Sequence, residues 1–100
     1  MKRRFPNRED REYLRWLRYS FPCDVCTAAD LEQESPTEIE HWITKARGGF
    51  DKGDTFPTCA RHRQERHTWG QKTFQARYLQ RDWSTRGQYY AELYAGEFPE

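Results

Sequence analysis

Three cysteines and three histidines carry most of the chemistry open to this 100-residue sequence, and all six fall between Cys23 and His67. Cys23-Asp-Val-Cys26 is a C-x-x-C pair. Two thiolates at that spacing can grip one metal ion from a tight knuckle, or can exchange with a disulfide. Cys59-Ala-Arg-His62 supplies a second pair. The complete spacing, C-x2-C-x32-C-x2-H, is a Cys3His set suited to tetrahedral structural zinc. Two pairs together are far more specific than either alone.

The third histidine on this segment behaves differently. On a helix, His62 and His67 are five residues apart and differ by about 140° around the axis, so they do not easily share one ion. Arg63 and His67, at i and i+4, lie on one face. His62 therefore goes with the cysteines, and His67 points elsewhere. Upstream, Glu40 and His41 place a carboxylate beside an imidazole.

These residues need elements to hold them. Asn7 can cap a helix over residues 8–19, with Tyr13, Trp16, Leu17 and Ser20 on one stripe and Pro22 stopping it. Residues 27–38 are polar and read as a loop or short helical turn. Ile39 to Ile43 suggests a strand, Arg47-Gly48-Gly49 and Lys52-Gly53-Asp54 a loop, and Thr55-Phe56-Pro57 a return strand. Thr58 can cap a helix through Thr68, closed by Gly70. Phe74 and Tyr78 mark a second helix. Ser84 caps a third, with Tyr90, Leu93 and Tyr94 on one face and Gly96 closing it, so helices fill residues 71–95. The expected class is a small zinc-stabilised α+β domain spanning residues 1–100.

Composition agrees with a metal requirement. Hydrophobic residues make up 35% and charged residues 33%, and mean hydropathy is −1.23. Such a chain folds alone only with help, from its 16% aromatic residues and from a metal. No apolar run reaches the roughly 20 residues of a membrane span, no signal peptide opens the chain, and an odd cysteine count suits a reducing cytoplasm. Net charge is +1, but residues 1–18 hold seven Lys/Arg against three Asp/Glu. Arg3, Arg4, Arg8, Arg61 and Arg66 are candidate contacts to a nucleic-acid backbone, against the default of a solvated face.

The order of these residues resembles the HNH endonucleases, and more narrowly their small phage- and prophage-encoded members. The matching segments are YLRWLRYSFPCDVC, IEHWITKARGG, DTFPTC and CARHRQERHTWGQKTF, about residues 12–78. The resemblance implies a ββα-metal core at residues 39–68, built as a treble-clef-like hairpin and helix. It implies His41 as general base, Glu40 and His67 as ligands of a catalytic divalent ion, and Asp54 at the middle position, usually Asn, that fixes the hairpin loop and the base histidine. Cys23, Cys26, Cys59 and His62 match the structural zinc site of the zinc-bearing members.

The implied chemistry is coherent. A neutral imidazole can take a proton from water, and one divalent ion can neutralise the phosphate and the leaving oxygen. One carboxylate, one imidazole and several waters suit Mg²⁺ or Mn²⁺. Where the family commonly has a further histidine ligand this chain has Arg63, and arginine cannot ligate a metal. Either Glu40 and His67 hold the ion while Arg63 grips a phosphate oxygen, or the ion is lost. The first alternative is a DNA endonuclease with little sequence preference. The second is a zinc-stabilised nucleic-acid-binding module without catalysis, and a redox C-x-x-C protein is a third reading. Trp42 and Trp69 pack, or stack on bases.

Overall fold

A computed structural model describes residues 8–43 and 51–99 of the chain. The first element, α1 (Arg8–Ser20), follows from its stripe: Tyr13 and Leu17 are fully buried, Trp16 is half-buried and Ser20 is exposed. The Asn7 cap, the Arg47-Gly48-Gly49 turn, Arg3 and Arg4 lie outside the described residues. After Pro22 comes a short helix, α2 (Asp24–Ala29). Its N-cap is Cys23, whose sulfur accepts from the Cys26 amide at 3.4 Å. The segment expected as a loop or short helical turn thus begins as the last turn of a helix, which ends where Asp30 turns to φ 54°.

Two strands follow, β1 (Glu38–His41) and β2 (Thr55–Thr58), paired antiparallel with Glu40 opposite Phe56 and His41 opposite Thr55. The strand expected to reach Ile43 stops at His41, for a visible reason. Beyond it the Trp42 amide donates to the Asp54 carbonyl at 2.9 Å, and the Ile43 amide donates to both Asp54 carboxylate oxygens. A side chain takes over from the ladder. All four residues of β2 are buried, because α1, α2 and an element near the C-terminus pack on it.

The long helix α3 (Ala60–Arg77) opens at Cys59, with no side-chain cap. Thr58, expected as that cap, is instead the last strand residue opposite Glu38. Gly70 sits at φ 80° and ψ 172°, breaking α3 into two helical pieces. That conformation is open essentially to glycine alone. The break therefore falls at the residue expected to close the first helix.

A 3₁₀ turn at Trp83–Thr85 leads into α4 (Arg86–Glu97). Asp82 caps the 3₁₀ turn by accepting from the Ser84 amide, and α4 opens at Thr85 with no side-chain cap, so Ser84 is a capped residue and not the cap. Tyr90 is buried and Tyr94 half-buried, while Leu93 is exposed and Gly96 lies within the helix. Trp83 is fully buried against Phe56 and Phe74, and with Tyr13 and Leu17 these rings form the centre of the core. Two devices dock α4. Buried Asp24 accepts from Arg86 Nε at 2.7 Å and pairs with Arg81 at 3.1 Å, tying the C-terminal region to α2. Gly87 lets the helix approach the hairpin loop: a Cβ there would lie 2.5 Å from the Gly53 carbonyl oxygen. Among the described residues no helix is long and apolar enough to cross a membrane.

Candidate functional site

α2 and α3 bring Cys23, Cys26, Cys59 and His62 into one buried cluster whose donor atoms all lie within 4.8 Å of one another. None of the cysteines is in a disulfide. His62 Nδ1 lies 3.5, 3.4 and 3.3 Å from the sulfurs of Cys23, Cys26 and Cys59. The Cys26 and Cys59 sulfurs are 3.8 Å apart. A tetrahedral zinc with Zn–S bonds of about 2.3 Å and a Zn–N bond of about 2.0 Å sets sulfurs about 3.8 Å apart and sulfur from nitrogen about 3.5 Å. The cluster fits that ion.

Its electrostatics agree. Burial raises the Cys23 and Cys26 thiols and lowers His62. Without a cation the interior resists three thiolates, and a bound metal supplies the charge that replaces their protons. The lowered imidazole is neutral, as a ligand must be. Beyond the ligands, the Glu65 carboxylate stands 3.9 Å from His62 Nε2 and accepts from the Tyr78 hydroxyl. The Tyr78 ring meets His62 edge-on at 5.2 Å. The carboxylate is too far for a hydrogen bond, so packing against Tyr78 is what fixes the ring.

About one and a half turns further along α3, His67 meets β1. His67 Nε2 is 3.3 Å from Glu40 Oε1, with the His67 side chain about half exposed and that of Glu40 at 3%. The second oxygen of Glu40 is buried without a hydrogen-bond partner. Burial pushes the Glu40 carboxyl up to about 7 against the pull of Arg66 and Arg63, and burial with the same two arginines lowers His67. An unpartnered carboxylate oxygen beside a neutral imidazole is chemically suited to a hard divalent cation. Two cis ligands of an octahedral ion with bonds of about 2.1 Å stand about 3 Å apart, close to the spacing here. Arg63 is exposed on the same side, 3.6 Å from Glu38.

His41, next to Glu40 in β1, faces a partner that sequence reasoning missed. Its Nε2 is 2.8 Å from Asp51 Oδ1, and Asp51 is 1% exposed. A carboxylate there selects the tautomer with the proton on Nε2 and leaves Nδ1 as the basic atom. Asp54, the acid singled out from the sequence, holds the start of the hairpin loop, its carboxylate taking the Ile43 amide while burial raises its pKa; the carboxylate on the His41 ring is that of Asp51. The segment Asp51-Lys-Gly-Asp54 offers two acids three residues apart, and only the register of the hairpin tells them apart.

The candidate cations are scattered. Arg8 pairs with Glu12 on α1, and Arg61 with Glu65 on α3, both i, i+4 contacts on exposed faces. Arg66 is buried: its Nη2 donates to the Trp42 carbonyl at 2.5 Å and its guanidinium lies 5.0 Å from the Trp42 ring centre. It is therefore a wall residue rather than a free surface cation. The structure thus brings Glu40, Arg63 and His67 together, sets His41, the next residue of β1, against Asp51, keeps the Cys3His cluster apart, and leaves Arg8 on a separate helix. No protein-family model, curated protein or solved structure matches this chain.

Proposed function

We propose that the protein is a metal-dependent DNA endonuclease of HNH type, hydrolysing phosphodiester bonds on a ββα core formed by β1, β2 and the first part of α3. The observation that carries this reading is the close approach of Glu40 and His67, with the Asp51-bound His41 following Glu40 in β1. In this account Asp51 holds the ring of His41, whose Nδ1 takes a proton from water as the water oxygen attacks phosphorus. The phosphorus–oxygen bond on the far side breaks, and the departing oxygen takes a proton from solvent. Glu40 and His67 would hold Mg²⁺ or Mn²⁺, which supplies charge neutralisation at the phosphate. Arg63 takes a phosphate oxygen. Zinc at Cys23, Cys26, Cys59 and His62 holds α2 against α3 and takes no part in the chemistry.

A second reading rests on Arg63, which cannot ligate a metal. It makes the protein a zinc-stabilised nucleic-acid-binding module whose catalytic ion is lost. Incubating zinc-loaded protein with plasmid or single-stranded DNA and Mg²⁺ or Mn²⁺ separates the two. Endonuclease chemistry produces nicked, linear or shortened DNA. Retardation without any cut strand contradicts it and favours the binding module.

A further inference from the structure

Beside Glu40 and His67 lies a cavity of about 660 Å³, within the range of sites that seat small ligands. Its walls include Trp42, Arg66, Trp69, Gln71 and Lys72. Two of these adjoin the proposed reacting groups in the chain: Trp42 follows His41, and Arg66 precedes His67. The Arg66 charge acts on both Glu40 and His67, so this wall of the cavity borders that pair.

Its chemistry is specific. Trp42 is nine-tenths buried and fixed at its carbonyl by Arg66 and by Gln71, the latter at 2.7 Å. Trp69 is partly buried, stacked on Tyr78 with ring centres 6.3 Å apart. Arg66 is buried, yet its Nε has no hydrogen-bond partner. Among the described residues no acidic side chain lines the cavity, and Lys72 adds a second cation. The break at Gly70 leaves open space at the wall, since a Cβ there would meet nothing within 4 Å. Two indole rings, an unsatisfied buried donor and a cationic lining together call for a planar ligand with acceptor atoms carried on an anionic chain. A nucleobase on its phosphate backbone has those properties.

We propose that this cavity seats one unpaired base of a DNA strand lying over the Glu40–His67 surface, with the ring against Trp69 and Trp42 and its acceptor atoms toward Arg66, while Lys72 meets the adjoining phosphate. The inference rests on DNA being the substrate. A base in the cavity is out of the double-helical stack, so single strands and unpaired positions are engaged in preference to intact duplex.

The test compares a short oligothymidylate with an abasic strand of equal length and charge. Binding to zinc-loaded protein is read by fluorescence anisotropy, without Mg²⁺ or Mn²⁺. The wild type binds oligothymidylate about tenfold tighter than the abasic strand. Trp69→Ala removes that difference, Trp69→Phe keeps most of it, and Lys72→Ala weakens both strands alike. Equal affinity of the wild type for both strands overturns the proposal, as does a Trp69→Ala loss shared equally by both. Cutting of plasmid with equal binding leaves the endonuclease standing and removes the base site. Base-dependent binding without cutting keeps the site and moves the function to the binding module.

Discussion

His62 and His67 stand five residues apart on one helix, and their surroundings differ in almost every respect. His62 is fully buried, pointed at three sulfurs, and enclosed by Tyr78 and Glu65. His67 is about half exposed and faces a carboxylate with one oxygen unpartnered. The first environment is closed on every side, which suits a metal that only holds chain segments together. The second is open only on the His67 side, with its carboxylate buried. Enclosed soft donors fit a metal that holds the chain together, while the proposed function places its chemistry at the half-exposed histidine.

The largest effect expected from breaking that contrast is on the closed site. Cys59→Ala removes one of four ligands, and zinc-binding energy at such a site is folding energy, on the order of 10 kcal/mol in small zinc domains. The variant should lack cooperative melting by circular dichroism, and excess chelator should do the same to the wild type. Full helicity with a sharp transition in chelator would show that the aromatic core suffices.

Beside His41 the account expects an effect on rate. Asp51→Asn keeps shape but removes the carboxylate that holds the His41 tautomer. Cleavage should fall about 10- to 100-fold, the range typical of losing such a partner, with little change in melting temperature. Nitrogen NMR of the His41 ring should show the Nε2–H form giving way to a mixture. An unchanged rate would return the hairpin's functional acid to Asp54.

The charge state of Glu40 sharpens the comparison further. Its folded value of about 7 lies above its ordinary 4.5. The neutral buried carboxyl thus contributes stability that is fully present below 4.5 and is lost as pH rises through about 7. Without added Mn²⁺, Glu40→Gln should melt several degrees higher than wild type at pH 8 and equally at pH 5. Mn²⁺ at pH 8 should narrow the gap by stabilising only the wild type. A variant that melts lower than wild type at pH 8 without Mn²⁺ would mean that Arg63 and Arg66 outweigh burial.

The smallest effect is at the break in α3. Gly70→Ala meets no steric clash but must hold a conformation that costs a side-chain-bearing residue about 1–3 kcal/mol. Melting should drop by a few degrees with zinc content unchanged. A rise would indicate that α3 straightens without loss.

How far the sequence revealed these regions follows the same division. The Cys3His cluster was legible because four scarce donors in two short-spaced pairs leave little choice of partner. The separation of His62 from His67 followed from helical period alone. Asp51 was not legible, since nothing local distinguishes it from Asp54; the pairing of His41 with Thr55 decides it. Arg66 was read as a surface cation, but its burial depends on where Trp42 comes to rest, a contact across 24 residues. Trp83 at the core's centre sits in a 3₁₀ turn with no periodic pattern to announce it. Spacing within a segment is visible in sequence, whereas contacts set by hairpin register are not.

The measurement that tests the central claim most directly is cleavage of supercoiled plasmid by zinc-loaded wild type and His41→Ala, each with Mg²⁺, Mn²⁺ or neither. The account predicts cutting that needs both the added ion and His41, with the variant slower by about 10²- to 10⁴-fold and equally stable. Intact plasmid in every lane, from protein that melts cooperatively and retains zinc, would contradict it.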